Sequence, residues 1–239
     1  AIKAMQRGIH VICEKPISLK EEDVDRAYQT ARENHVCFMV AQVLRFWPEY
    51  ELIKELYDSG RYGKLLSGYM GRLNGYPKWS WDDWMLDEAR SGLIPFDLHI
   101  HDLDFCIYAF GAPTEVQKKR VKLPKQDYIS AVYQFPGFFI TTESSWFAAP
   151  YPFTASFRFL FEKALVVWEG GKCLIYQNDG TVLDLSTKSQ NDTGDIDLPQ
   201  TDAYAEEIRY FKDCVKEGRF PDKVKPEELK QVLRILNTL

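Results

Sequence analysis

The sequence predicts an α/β (α+β) protein in which a strand–helix–strand unit leads into an α/β domain with a large open, mostly antiparallel sheet. Three observations carry that expectation. Two short apolar runs, Ile9 to Cys13 and Val36 to Ala41, flank an amphipathic helical segment. Helical spacing then recurs through the middle of the chain. From Thr114 onward, strand-like runs alternate with the turns Pro136-Gly137, Gly170-Gly171 and Asp179-Gly180.

Ala1 to Gly8 reads as the end of a helix, with Gly8 at its stop, so the chain is expected to open mid-pattern. Ile9 to Cys13 is almost uninterruptedly apolar, which predicts a strand covered on both faces, as in parallel sheets. Ser18-Leu19-Lys20-Glu21 has the spacing of a capping box, and Val24, Ala27, Tyr28 and Ala31 give the apolar side of a helix running to about Asn34. With the second strand this makes a right-handed crossover unit. Ligands of such sheets sit beyond the carboxyl ends of the strands, where Glu14, Lys15 and Pro16 fall. An unaccompanied E-K-P is equally compatible with ordinary surface.

Pro48 suits the first turn of a helix whose contacts are Tyr50, Ile53, Leu56 and Tyr57, ended by Gly60 and Gly63. Leu65 to Leu73 reads as a strand. The following loop holds Trp79, Trp81 and Trp84, which can line a sugar-sized pocket or clamp the loop to the core. Glu115 to Leu123, Tyr128 to Phe135, Phe138 to Phe147, Thr154 to Glu162, Ala164 to Trp168, Lys172 to Gln177 and Thr181 to Leu185 read as strands with connections short enough for antiparallel pairing. Ser189 to Gln200 is polar and loop-like. Two helices close the chain, Asp202 to Glu217 with Ile208, Phe211 and Val215 inward, and one from Pro226, which runs to Leu239 without a stop signal, so the carboxyl end is expected to be clipped too.

Chemistry concentrates in Ser91 to Gly111, which holds two of the four histidines and three aspartates beside an apolar run. On a helix starting near Asp97, residues Asp97, His101, Asp104 and Tyr108 share a face, with Ile100, Leu103, Ile107 and Phe110 as the adjacent apolar stripe. His99 and Asp102 are expected toward solvent or a partner. A carboxylate one turn before a histidine can orient the ring and stabilise its charged form, as a general base requires. It can equally cap the helix. The competing H-x-H strand-end metal site fails on inventory, since His10 and His35 lie upstream and no histidine follows His101. No metal is expected.

The 239 residues are 45% apolar, enough for a sizeable core, and the net charge of -5 without a basic face argues against nucleic acid. A small-molecule ligand is the expected partner. Five scattered cysteines without a C-x-x-C pair read as reduced thiols of a cytoplasmic protein, and no apolar run reaches membrane-spanning length.

Glu14-Lys15-Pro16 after one strand, Arg45-Phe46 after the next, Trp81-Asp82, and Asp97-x-x-x-His101-x-x-Asp104 on a helix together resemble the Gfo/Idh/MocA oxidoreductases, in the right order along essentially the whole chain. The resemblance implies a Rossmann domain binding NAD or NADP, here reduced to a remnant at residues 1–44. It also implies a substrate-binding and oligomerising α/β domain at residues 45–239, whose sheet forms homo-oligomers. The implied reaction is hydride transfer between a nicotinamide and a hydroxyl carbon of a sugar, inositol or related polyol. Lys15 matches the lysine that contacts substrate and cofactor, with Glu14 and Pro16 beside it; His101 matches the acid/base and Asp97 its carboxylate neighbour. Arg45, Trp79, Trp81 and Asp104 are the expected substrate contacts.

Two departures qualify the match. The phosphate-binding G-x-G-x-x-G and its acidic follower occur nowhere in the sequence, so this chain is expected to bind NAD(P) poorly and to be inactive alone. The glycine run ahead of the aspartate is reduced to Gly92. The alternatives are a non-catalytic polyol-binding or dimerisation module, and an NAD-dependent glycoside hydrolase of the same fold.

Overall fold

The computed structural model describes residues 1–186 and 202–239; the polar segment expected as a loop at Ser189 to Gln200 lies outside them. Helix α1 (Ile2–Met5) leads to β1 (Val11–Cys13), α2 (Glu21–Glu33) and β2 (Phe38–Val40), and β1 pairs with β2 in parallel. All of β2 is buried, but β1 is not covered on both faces as its apolar run suggested: Ile9 is 52% and Ile12 37% exposed. Among the described residues β2 is its only sheet neighbour, and no layer covers its outer side. The expected capping box does not form. Ser18 Oγ instead accepts from the Lys20 N–H and donates to Asp23 Oδ2, which moves the helix start to Glu21.

A single 3₁₀ turn (Val43–Phe46) joins β2 to α3 (Pro48–Ser59), where Pro48 occupies the first turn, whose N–H groups need no partner. After β3 (Leu65–Gly75) come a 3₁₀ segment (Trp81–Leu86), α4 (Glu88–Ser91), one turn of π-helix (Pro95–His99) and α5 (Ile100–Phe110). Gly92 adopts φ +75°, and a Cβ there would lie 2.2 Å from the Phe96 ring, so only glycine allows the tight entry into the π turn.

Strands β4 (Glu115–Leu123), β5 (Gln126–Phe135), β6 (Phe138–Phe147), β7 (Thr154–Phe161), β8 (Ala164–Glu169), β9 (Lys172–Gln177) and β10 (Val182–Asp184) complete an eight-stranded sheet of order β10-β9-β8-β7-β3-β6-β5-β4. Every pairing is antiparallel except β3 with β6. Strand β3 enters the centre of the sheet because the long connection through α4 and α5 frees it from its sequence neighbours. Inner-face residues such as Tyr133, Phe157, Phe159 and Phe161 are buried, and Tyr50, Phe105 and Phe110 of the helices meet them edge to face. The outer face carries Phe139, Leu160 and Tyr176 at 42 to 44% exposure.

Helices α6 (Ala203–Glu217) and α7 (Pro226–Leu236) close the described chain. The inward face of α6 is not the expected one. Ile208 is 59% exposed, while Ala203, Glu207 and Cys214 are buried and Phe211 is partly covered. The helix turns to bring the Glu207 carboxylate onto the backbone N–H of Gln42 at 2.6 Å, an interaction that an apolar pattern does not encode. Helix α7 lies against α2 and α5, with Lys230–Asp25 and Arg234–Glu21 ion pairs at its rim, and one apolar core runs from Met5 to Leu236. None of the described helices is long and apolar enough to cross a membrane. All five cysteines are free thiols.

Two buried ion pairs pin α5. Arg45 (0% exposed) donates to both oxygens of Asp104 at 2.9 and 2.6 Å, and its remaining nitrogen reaches Glu228 and the Lys223 carbonyl. Arg72 donates to Asp102 Oδ1 at 2.9 Å and to the Tyr50 hydroxyl at 3.1 Å. Asp102 thus faces the sheet rather than solvent. His99, also expected outward, is fully buried, with Nδ1 3.0 Å from Ser144 Oγ and Nε2 2.6 Å from the Tyr133 hydroxyl.

Removing half of the Arg45–Asp104 pair leaves an uncompensated buried charge, so Asp104→Ala will destabilise the fold by about 3–5 kcal/mol in urea unfolding. Burial, with the charge of Arg120, pushes the His99 imidazole down to about 3 from an ordinary value of 6.5. The unfolded chain therefore takes up a proton that the folded chain refuses, and stability falls as pH drops through that window. The melting temperature will decrease from about pH 7.5 to about pH 5, with a flatter dependence in His99→Gln.

Candidate active site

Beyond the carboxyl ends of β1 and β2 the chain turns away from the two-stranded sheet and leaves a cavity of about 880 Å³ between that unit, α5, α6 and the β3 end of the large sheet. Glu14 and Lys15 follow β1 into its wall and Ala41 follows β2. The π turn and the first turn of α5 supply Asp97, Leu98 and His101.

The Lys15 ammonium donates to the backbone carbonyl of Asp97 at 2.7 Å and to its Oδ1 at 3.3 Å. The other carboxylate oxygen accepts from the Trp146 indole N–H at 3.1 Å. The expected Asp97–His101 pairing is therefore absent: the carboxylate orients the lysine, and the imidazole makes no hydrogen bond to it. The cause is the π turn. Its i→i+5 bonding puts an extra residue in the turn and displaces Asp97 from the position one regular turn below His101.

His101 Nδ1 is buried without a partner, which leaves Nε2 as the nitrogen able to meet a molecule in the cavity. Burial holds the imidazole well below its ordinary pKa, and the charges of Lys15 and Arg72 act in the same direction. The ring is neutral at physiological pH, so it can accept a proton. Deeper in the wall, Glu207 is 3% exposed; burial raises its carboxyl to about 7, the Gln42 N–H opposing the shift and Glu14 adding to it.

Of the residues singled out from the sequence, the cavity gathers Glu14, Lys15, Asp97, His101 and Trp79, the last at the rim and 77% exposed. Pro16 lies outside the lining. The structure does not bring Arg45 and Asp104 to the cavity; their charges are spent on each other inside the core. Trp81 is 80% exposed and also off the lining, whereas Trp84 packs against the core as a loop clamp. Arg72, Asn74, Tyr76, Tyr204 and Glu207 line the cavity without having been anticipated. Only Glu207 left a trace in the sequence, as the acidic position that completes the helical spacing of Ala203 and Cys214. Among the described residues no three His, Cys, Asp or Glu side chains are grouped to hold a metal.

Residues 1–42 match the model of the oxidoreductase family with an NAD-binding Rossmann fold, and residues 50–167 match the Gfo/Idh/MocA C-terminal domain. The 2,7-anhydro-N-acetylneuraminate hydratase of Mediterraneibacter gnavus is 34% identical over 116 residues, 48% of this chain and 31% of that protein. The myo-inositol 2-dehydrogenase of Thermotoga maritima is 33% identical over 107 residues, 44% of this chain and 30% of that protein. The chain thus spans about a third of the length of the curated relatives it matches. Among solved structures, a levoglucosan dehydrogenase in complex with NADH and levoglucosan superposes with a TM-score of 0.79 at 18% identity, over 99% of this chain and 72% of that one. A dehydrogenase from Chromobacterium violaceum gives 0.79 at 17% identity, over 100% and 70%. These two likenesses concern the fold, whereas the family models and curated relatives match in sequence: by both, the chain belongs to the Gfo/Idh/MocA oxidoreductase family.

Proposed function

We propose that this chain carries the substrate-binding and acid/base portion of an NAD(P)-dependent dehydrogenase that oxidises a hydroxyl carbon of a sugar, inositol or related polyol. The observation that carries the proposal is the shared cavity of Lys15 and His101, an ammonium and a neutral imidazole facing one space at the ends of parallel strands. Residues 1–44 act as the nucleotide-side segment and residues 45–239 as the substrate side.

Fit to the cofactor divides along the cavity. Glu14, Lys15 and Ala41 at the strand ends form a place for the nicotinamide end. The G-x-G-x-x-G that would take the phosphates is not in these 239 residues, so alone they hold the dinucleotide weakly and turn over little. When bound, NAD(P) supplies the hydride acceptor. An alcohol becomes a carbonyl only as its hydroxyl proton departs. Two of the Lys15 N–H groups are committed to Asp97, and the third is free to hold the substrate oxygen and disperse its growing negative charge. His101 Nε2 accepts the proton. Trp146 and Asp97 keep the ammonium in place. Trp79 at the rim offers a flat apolar surface to a sugar ring. The exposed outer face of the large sheet is the surface through which copies would associate, in a cytoplasmic setting.

The second reading is an NAD-dependent glycoside hydrolase of the same fold, which would oxidise the sugar only transiently, and net NADH release separates the two. The protein as its own gene encodes it, given NAD+ or NADP+ with myo-inositol, glucose or levoglucosan, will accumulate NAD(P)H. His101→Asn and Lys15→Met will each lower kcat/KM by about 10²- to 10⁴-fold. Because the His101 pKa is depressed, the base stays unprotonated as pH falls past 6.5, and the acid limb of kcat/KM will lie below the ordinary imidazole range. Undiminished turnover in His101→Asn would remove the imidazole from the mechanism.

A further inference from the structure

The β3 side of the cavity has binding capacity that proton transfer does not use. Arg72 is 4% exposed, and its Nε and Nη2 are occupied by Asp102 Oδ1 and the Tyr50 hydroxyl. Its Nη1 donates to no described residue, which leaves this nitrogen as the part of the guanidinium able to meet a ligand in the cavity that Arg72 lines. Two residues along the same strand, hence on the same face, Asn74 also lines the cavity with an amide that donates to no described group. Lys78 and Lys125 lie 5.2 and 5.5 Å from the Tyr76 ring at the rim, and neither has a carboxylate partner among the described residues. Of the carboxylates, Glu14 stands after β1, Asp97 in the π turn where Lys15 and Trp146 hold it, and Glu207 on α6. The charged groups of the cavity are therefore divided, with the unpaired lysines at the end where β3 continues into the Tyr76 loop.

We infer that the β3 end is a carboxylate subsite, in which Arg72 and Asn74 receive the acid group of a carboxylated monosaccharide such as a hexuronate. This rests on the reading of the cavity as a sugar site and narrows the substrate class. A hydroxyl offers its lone pairs to one or two donors without charge. A carboxylate accepts both Nη1 hydrogens and the Asn74 amide in charge-assisted bonds, which are about twice as strong as neutral ones. Asp102 balances one positive charge, and Lys78 and Lys125 remain to attract the anion. Arginine suits this task because its planar fork binds the buried aspartate on one edge while offering the other.

Calorimetry on the 239-residue chain with D-glucuronate, D-galacturonate and the methyl ester of each provides the test, since the esters keep the ring and remove the charge. The expected result is a preference for acid over ester of about tenfold or more. Asn74→Ala, which disturbs no observed hydrogen bond, should reduce that preference severalfold. Arg72→Lys, with folding checked by circular dichroism, should abolish it, because an ammonium cannot serve the aspartate and the ligand at once. Equal binding of acid and ester would overturn the inference and leave the polyol reading standing. Binding of neither acid nor ester would overturn the inference and leave the polyol reading to the turnover assay with neutral polyols, and acid binding to the chain with no NAD(P)H formed by the protein as its own gene encodes it would retain the subsite while refuting the dehydrogenase.

Discussion

The contact between the Lys15 ammonium and Asp97 is what the candidate site depends on. It joins the end of β1 to a turn 82 residues later in the chain, and Trp146 of β6 secures the same carboxylate from the sheet. Three segments distant in sequence are thereby held at one point. Were the carboxylate turned to His101 instead, the imidazole would be drawn toward its charged form and the lysine would lose its anchor. With the carboxylate on the lysine, the imidazole has no anionic partner and stays neutral, as a proton acceptor in an alcohol oxidation must.

The π turn and helix α5 distribute neighbouring side chains to different tasks. His99 is locked into the sheet by Ser144 and Tyr133, His101 opens to the cavity, Asp102 neutralises Arg72, and Asp104 neutralises Arg45. Buried ion pairs add little net stability, since desolvation offsets their attraction. Their effect here is positional: a helix fixed by two arginines from β3 and the turn after β2 has little freedom to rotate His101 out of the cavity. The Arg72 pair serves both purposes, because one edge of the guanidinium holds the helix and the other faces the cavity.

Much of this was legible in the sequence, for reasons that can be named. The strand, helix, strand start and the run of hairpins follow from hydrophobic period and turn chemistry, and the family resemblance carried by E-K-P and D-x-x-x-H implied that Lys15, Asp97 and His101 share one site. What escaped was geometry that no local pattern carries. A single π turn at Pro95–His99 redirected Asp97 from the imidazole to the ammonium. Long-range pairing hid Arg45 and Asp104 in the core although the spacing put Asp104 on the His101 face. Glu207 was overlooked because a buried carboxylate reads as surface until its backbone partner, the Gln42 N–H, is seen. Strand β3 gave no sign of its central place in the sheet, since its neighbours β6 and β7 lie 60 or more residues away.

A crystal structure of this protein with a polyol and nicotinamide dinucleotide bound would test the central claim most directly. The account predicts one carbinol oxygen within hydrogen-bond distance, about 3 Å, of both Lys15 Nζ and His101 Nε2. A polyol bound in the cavity with no oxygen near either nitrogen, or with His101 Nε2 turned into the core, would contradict it.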